Sequence, residues 1–212
     1  MRKRNGDKIE VCDSAGSSFP ATLEIDGTAV AARLGAAALR SPAGLEIVLA
    51  QALPKGQKMD FVVEKATEIG VARIVPLRTE RSVATAERTG KVERWRRLAR
   101  TAAAQCGRPD VPVVDDVTDW RDFESQVRAA PLSLIPWELA ESLPLRDVLP
   151  GLLKGATGVL VAIGPEGGFA HDEVEQARSW GARPISLGKR ILRTETAGLV
   201  ACSALLYAAG EL

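Results

Sequence analysis

From Val159 to Ile163 the chain reads Val-Leu-Val-Ala-Ile with no polar interruption, the pattern of a strand covered on both faces. Gly164, Gly167 and Gly168 follow, so the backbone can turn sharply there with little side chain over it. Pro184 to Leu187 repeats the arrangement: a short apolar strand, then Gly188, then the start of a long final helix. Set side by side, two such loops would form a ligand pocket.

Upstream the pattern changes twice. Residues 1 to about 42 alternate short apolar pieces, Lys8 to Cys12 and Ala21 to Ile25, with turn signals at Arg4-Asn-Gly-Asp7, Asp13 to Gly16 and Asp26-Gly27. Such alternation predicts a small antiparallel β module. Ser41-Pro-Ala-Gly44 reads as a boundary, followed by a strand from Leu45 to Ala50. From Lys58 the period is helical, with Met59, Val62, Val63, Ala66 and Ile69 on one face and Gly70 as a left-handed end. Arg73 to Pro76 reads as the next strand. A second helix follows over about Lys91 to Cys106, with Val92, Trp95, Ala99, Ala102, Ala103 and Cys106 inward and Arg94, Arg97 and Arg100 outward. Val111 to Val114 and Leu132 to Ile135 are further strands, with Thr118 to Ala129 helical between them. Strands and helices alternating at crossover spacing predict an α/β fold with a parallel sheet.

The final helix, expected over about Glu195 to Ala209, is apolar on two sides. Ala197, Val200, Ala201, Ala204, Leu205 and Ala208 form one, and Leu199, Cys202 and Leu206 the other. A helix apolar nearly all round needs cover on both sides. Two covers stay open, a second subunit or the protein's own loops.

Composition narrows the function classes. The chain has 212 residues, enough for one large domain with a small companion. Lys and Arg number 28 against 27 Asp and Glu, so net charge gives no reason to expect a nucleic-acid partner, and any such partner would have to be met by local patches. Cys12, Cys106 and Cys202 are odd in number and unpaired in spacing, which suggests neither a disulfide framework nor a metal site. With no apolar run near the length of a membrane span and no signal-peptide core, a soluble, cytoplasmic protein is expected. A single histidine, His171, leaves little room for a Ser-His-Asp triad.

The glycine loop does not match the phosphate motifs. Near Gly164 there is no Gly-x-x-x-x-Gly-Lys-Ser/Thr, and Gly164, Gly167 and Gly168 do not give Gly-x-Gly-x-x-Gly. What the loop offers is open backbone, one carboxylate at Glu166, and Leu187, Ile191 and Leu192 beside it. That set suits an apolar, hydrogen-bonding and cationic ligand; a tight turn with glycines for geometry alone is the other reading.

Four segments together resemble the SPOUT superfamily of S-adenosylmethionine-dependent RNA methyltransferases, and within it the bacterial 16S ribosomal RNA uridine N3-methyltransferase family. They are Ala52-Leu-Pro-Lys-Gly-Gln-Lys-Met59 with Glu64-Lys-Ala-Thr-Glu-Ile-Gly70, Gln105-Cys-Gly-Arg108, Ile163-Gly-Pro-Glu-Gly-Gly-Phe169, and Leu187-Gly-Lys-Arg-Ile-Leu-Arg-Thr-Glu-Thr-Ala197. The resemblance runs from Leu45 onward, and its last two segments are the most specific.

The resemblance implies a PUA-like β-barrel over 1–43 and a SPOUT methyltransferase domain over 44–212. It further implies a deep trefoil knot, against the general rule for protein chains, and a homodimer acting on 16S rRNA in the small ribosomal subunit. Carried over residue by residue, it implies that S-adenosylmethionine is held by Ile135, Ile163, Gly164, Glu166, Gly167, Leu187, Gly188, Ile191, Leu192, Thr196 and Ala197. For Arg108 the resemblance favours a place on the RNA side of the site over a surface ion pair. Family members open with further residues of the barrel, and this chain starts at what reads as the following turn, so an incomplete barrel is expected. Ala170 stands where the family often has Ser or Thr, and loss of that N-cap oxygen costs about 1 kcal/mol; Asp172 and Glu173 in the first turn favour the helix dipole.

Methylation at N3 of uridine needs the uridinate anion, which a nearby guanidinium stabilises. Arg193 is the expected catalytic residue; the alternative is an arginine paired with Glu195 or Glu166 that only shapes the loop. Arg78, Arg81 and Arg88, with the outer face of the second helix, are expected phosphate contacts or else a solvated face. His171 reads as surface rather than as a base. Two rival functions stay open: a non-catalytic RNA-binding or ribosome-assembly protein, and a ribose 2′-O-methyltransferase.

Overall fold

The computed structural model describes residues 3–12, 18–36, 44–82, 90–138 and 143–212. The expected turn at Asp13 to Gly16, the boundary residues Ser41 to Ala43, and Arg88 lie outside the described residues.

The N-terminal strands are β1 (Lys8–Cys12), β2 (Ser18–Asp26) and β3 (Ala29–Leu34), an antiparallel sheet in the order β1-β2-β3. Asp26 pairs with Ala29 across a two-residue loop in which Gly27 has φ +60, so the Asp-Gly signal makes the hairpin turn expected of it. The Arg4 to Asp7 turn packs on β2. The Gly6 and Leu23 backbones are joined at 2.8 Å, and Asn5 Oδ1 accepts from the Ile25 N–H at 2.8 Å.

The second sheet is built from β4 (Glu46–Ala52), β5 (Arg73–Arg78), β6 (Val113–Val114), β7 (Thr118–Asp119), β8 (Ser133–Pro136), β9 (Leu143–Pro144), β10 (Gly158–Ile163) and β11 (Arg183–Ser186). Its order is β6-β5-β4-β10-β8-β11-β9, with β7 also on β5, and its pairings among the described residues are parallel. Helices α1 (Lys58–Ile69), α2 (Lys91–Cys106), α3 (Trp120–Ala129), α4 (Leu145–Leu152), α5 (His171–Trp180) and α6 (Thr194–Ala209) cover it.

Alternation along β10 sorts the core into two layers. Val159, Val161 and Ile163 face a cluster with α1, α2 and α6 residues such as Val63, Trp95 and Leu205. Leu160 and Ala162 face the other way, toward Phe123, Val174 and Trp180 of α3 and α5. That is why the strand reads as an unbroken apolar run. Pro76 sits inside β5 without an N–H to give, and the outer neighbour of β5 changes there, from β6 at Arg73 and Ile74 to β7 at Leu77 and Arg78.

Several expectations shift. Cys106 is exposed rather than inward, because it falls in the last turn of α2, past the stretch packed on α1. The strand expected at Val111 shrinks to Val113–Val114, and Thr118 and Asp119 extend beside β5 before α3 begins. Leu143–Leu152 forms β9 and α4, which no sequence signal announced. Cys202 is fully buried, and burial pushes its thiol up to about 12, a structural rather than reactive cysteine.

Candidate functional site

The C-terminal ends of the parallel strands lie level. Ile163 pairs with Gln51, Gln51 with Pro76, and Pro136 with Ile185. The loops leaving this edge after β4, β5, β8, β10 and β11 therefore converge, which is where open α/β sheets bind ligands. The strand order places β10 between β4 and β8, so the Gly164 loop is central.

Contacts with three neighbouring segments shape that loop. The Gly164 carbonyl accepts from Thr194 Oγ1 at 2.5 Å, and Thr194 Oγ1 accepts from Gln51 Nε2 at 2.8 Å. A carbonyl only accepts, so the direction of the whole chain of bonds is set by Gly164. Gln51 Oε1 is buried without a hydrogen bond; it faces Gly198, where an added Cβ would stand 3.1 Å from it. At Gly164 itself an added Cβ would lie 3.0 Å from the Phe169 nitrogen, so the loop can fold back only over a glycine. Arg81 Nη1 donates to the Gly167 carbonyl at 2.9 Å. The buried Glu173 carboxylate accepts from the backbone N–H groups of Ala170 at 2.9 Å and Glu80 at 2.8 Å. Ala170 has no side-chain oxygen, so only the Glu173 half of a capping box is made. Phe169 anchors the loop end against Trp120, ring centroids 5.5 Å apart.

Glu166 is not free. Its Oε1 accepts from Lys58 Nζ at 3.0 Å and from the Lys55 N–H at 3.0 Å. Burial alone would raise its pKa, but the Lys58 hydrogen bond and the backbone N–H groups of Glu166 and Lys55 outweigh that and hold the carboxyl below its ordinary value. Lys58 is raised, chiefly by the Glu166 hydrogen bond. Lys58 Nζ also lies 3.3 Å from Glu195 Oε2, which is buried without an aligned hydrogen bond, so that contact neutralises by charge.

The loop after β11 is the open partner. Gly188 has φ +115. Among the described residues the N–H groups of residues 189–192 make no hydrogen bond to another backbone group. Leu187 and Leu192 are half-buried, while Ile191 is 88% exposed. Arg193 is the exposed N-cap of α6, and its carbonyl accepts from the N–H groups of Thr196 and Ala197, each at 2.8 Å. Among the described residues Arg193 makes no ion pair, and both candidate carboxylates sit with Lys58.

The predicted residues thus divide. Gly164, Glu166, Gly167, Leu187, Gly188, Ile191, Leu192, Arg193, Thr196 and Ala197 lie on the two loops or the first turn of α6 at this edge. Ile135 and Ile163 lie beneath it as core side chains. Arg78 is at the same edge, paired with Asp119 at 2.6 Å. Arg108 is not brought there. Its guanidinium donates to the carbonyls of Thr67 at 2.8 Å and Val71 at 2.9 Å, finishing α1 at the N-terminal edge of the sheet. A cavity of about 1880 Å³ opens at that far edge, beside Arg108, Gly70 and Gly158; size alone assigns it no chemistry. Sequence reasoning gave no role to Lys58, Gln51 or Thr194, whose partners are distant in the chain, nor to the exposed Lys189 and Arg190. Among the described residues no cluster of His, Cys, Asp and Glu could hold a metal ion, and no helix is long and apolar enough to cross a membrane.

Comparison with known proteins agrees with this geometry. The model of the RNA methyltransferase domain matches residues 41–206. The ribosomal RNA small subunit methyltransferase E of Bacillus subtilis is 34% identical over 77% of this chain and 66% of its own length, and that of Mycobacterium bovis is 30% identical over 96% and 79%. The chain spans about two thirds of the length of the first curated relatives it matches. A crystal structure of the Neisseria gonorrhoeae ribosomal RNA small subunit methyltransferase E bound to S-adenosyl methionine superposes with a TM-score of 0.83 at 30% identity, covering 96% of this chain and 84% of that one. An α/β fold with a parallel sheet, a glycine loop at its centre and this similarity along the chain together place it: the protein carries the RNA methyltransferase domain and belongs to the family of the ribosomal RNA small subunit methyltransferase E proteins.

Proposed function

We propose that this chain uses S-adenosylmethionine to methylate N3 of a specific uridine in the 16S rRNA of the small ribosomal subunit. The observation that carries the reading is the meeting of the Gly164–Ala170 and Leu187–Arg193 loops at one strand edge, with Arg193 beside them making no ion pair among the described residues.

The residues present fit the cofactor. Open N–H groups over 189–192 supply donors for a heterocycle, and Ile191, a large apolar side chain left in water, with Leu187 and Leu192 supplies its cover. Gly164, Gly167 and Gly188 let backbone approach the ligand, over Ile135 and Ile163 as a floor, and Thr196 and Ala197 close the first turn of α6. Glu166, already bound to Lys58, shapes the loop and lends it negative charge. S-adenosylmethionine, when bound, supplies an electrophilic methyl group.

The chain's own residues then act in two ways. They hold the uracil in line, which supplies acceleration by proximity, and they favour the uridinate over the N3-protonated base. Arg193 accounts for the second effect. Its guanidinium stabilises the charge that develops on O2 or O4, and the positive end of the α6 dipole adds to the potential there. Arg78 and Arg81, with Lys189 and Arg190, are assigned to the RNA backbone on this edge, and Arg108 to the end of α1.

The same proposal includes a SPOUT trefoil knot, supported by the late strand β10 lying between β4 and β8. It includes a PUA-like module over 1–43 ahead of a catalytic domain over 44–212, supported by the separate antiparallel sheet. It also includes a homodimer through α6, supported by the large apolar side chains of Val200 and Tyr207, 41% and 75% exposed on that helix, and a place in the cytoplasm with the ribosome. The test is transfer of labelled methyl to small-subunit RNA, followed by nucleoside mass spectrometry. N3-methyluridine is expected. A 2′-O-methyl product, or RNA binding by a folded protein without transfer, would overturn the reading.

A further inference from the structure

Two carboxylates neighbour Arg193, one along the chain and one through the hydrogen bond of the next residue. Glu195 stands two residues on, in the first turn of α6. Glu166 stands in the loop that Thr194, the neighbour of Arg193, ties down through the Gly164 carbonyl at 2.5 Å. A guanidinium beside free carboxylates pairs with them readily, since its planar fork matches a carboxylate better than an ammonium does. Yet the ammonium of Lys58, reaching over from the first residue of α1, holds both: 3.0 Å to Glu166 Oε1 and 3.3 Å to Glu195 Oε2. The arrangement is fixed from the carboxylate side as well. Glu166 Oε1 also takes the Lys55 N–H at 3.0 Å, and the Glu195 side chain is only 14% exposed.

We infer that Lys58 is a positioning residue for Arg193: by occupying Glu166 and Glu195 it keeps the guanidinium unpaired and its donors open to substrate. The inference rests on the proposed role of Arg193 as the cation facing the uracil. Without Lys58 the glycine loop and the first turn of α6 would carry two uncompensated carboxylates, and Arg193, two residues from Glu195 and next to the Thr194 that binds the Gly164 carbonyl, is the cation placed to answer them. An arginine so captured has its charge offset and its fork filled, and it stabilises a uridinate poorly.

The test uses the full chain and two readouts. The first needs neither cofactor nor RNA: the Arg193 Nε–Hε signal by NMR, assigned through its loss in Arg193→Lys. Fast exchange with water is expected in the parent protein, and slowed exchange in Lys58→Met. The second is steady-state methylation of small-subunit RNA. Lys58→Met is expected to lower kcat by roughly tenfold, part of the 100-fold or more expected for removing a stabilising donor outright, with a smaller change in the Kd of S-adenosylmethionine. Neutralising the carboxylates in that background, with Glu166→Gln and Glu195→Gln together, should restore the fast exchange. A bracing role for Lys58 predicts no such rescue, and its absence would overturn the inference. Should Lys58→Met fail to fold, Lys58→Gln, which still donates to Glu166 but carries no charge, is expected to give the same two changes; unchanged exchange there would also overturn it. If the parent protein makes no N3-methyluridine the proposed function fails, and the exchange readout still decides whether Lys58 governs the pairing of Arg193.

Discussion

The Thr194 hydroxyl donates to the Gly164 carbonyl at 2.5 Å, across 30 residues of chain, and thereby pins the first turn of α6 to the glycine loop. Gln51, at the end of β4, completes the link by donating to Thr194 at 2.8 Å. Three strand-edge segments far apart in the chain are thus joined through one hydroxyl. Thr194→Val keeps the shape and removes the hydroxyl, leaving one Gln51 hydrogen and the Gly164 oxygen without partners. A loss of roughly 1–3 kcal/mol in unfolding free energy is expected, because buried polar groups left unsatisfied cost that much. Urea titration should show a lower midpoint at unchanged slope, and Thr194→Ser should restore it.

The glycine loop yields a sharper steric case. A Cβ at Gly164 would sit 3.0 Å from the Phe169 nitrogen and 3.1 Å from the Gly168 carbonyl carbon, and backbone cannot yield as a side-chain tip can. Gly164→Ala is therefore expected to displace the loop and weaken S-adenosylmethionine binding by about tenfold or more, at a stability cost of roughly 1–3 kcal/mol. At Gly167 the added Cβ meets only the Arg81 side chain, at 3.4 Å, in ordinary contact. Gly167→Ala should therefore leave the stability near that of the parent, and a loss of cofactor binding there without a stability cost would show that space near the ligand, not backbone contact, governs at that position.

Much of this architecture could be read before the structure, and the reasons differ by element. The run Val159 to Ile163 and the periodic apolar face of Met59 to Ile69 announced β10 and α1 because burial on both faces, or on one stripe, leaves a regular trace. β9 and α4 left none, since Leu143–Leu152 is short and carries Pro150 inside its helix. Gln51 sits in an apolar run as an apparent flaw, and its purpose shows only when Thr194 is beside it. The Lys58–Glu166 pair lies 108 residues apart, beyond any local pattern. Arg108 mixes the two cases: its ion pair with Asp110 is two residues away and local, whereas the Thr67 and Val71 carbonyls that tie it to the end of α1 are backbone groups, which no side-chain motif encodes.

The Lys58–Glu166 pair also sets a pH dependence. The Glu166 carboxyl is held below its ordinary 4.5, so its contribution to stability is present above that value and is lost as pH falls through the lower folded pKa. Lys58 is raised above 10.5, so its contribution is complete below 10.5 and is lost only as pH rises through the higher folded pKa. Between those limits the pair is fully charged and adds no slope. Glu166→Gln should flatten the acid limb of a stability profile below about pH 4.5 and leave the neutral region parallel to the parent. A change of slope near neutrality would assign the dependence to another group.

The last expectation joins Arg193 to the chemistry. It caps α6 with an exposed side chain and, among the described residues, no ion pair, so its charge is available to an anion forming beside the two loops. Under the proposed reaction the anion is uridinate, and the charge matters in the transition state more than in the ground state. Arg193→Ala should therefore lower kcat by roughly 100-fold or more while changing the Kd of S-adenosylmethionine little. Arg193→Lys should recover only part, since a point charge does not reproduce a planar fork aimed at O2 or O4 with N3 left free to attack. Raising the pH should rescue the alanine variant more than the parent, because solvent then supplies more of the anion that the guanidinium had favoured. Nucleoside mass spectrometry of single-turnover reactions across pH provides the measurement. Normal turnover with weakened cofactor binding would instead make Arg193 a wall of the pocket, and the charge stabilising the uridinate would then have to come from Lys189 or Arg190 on the same loop.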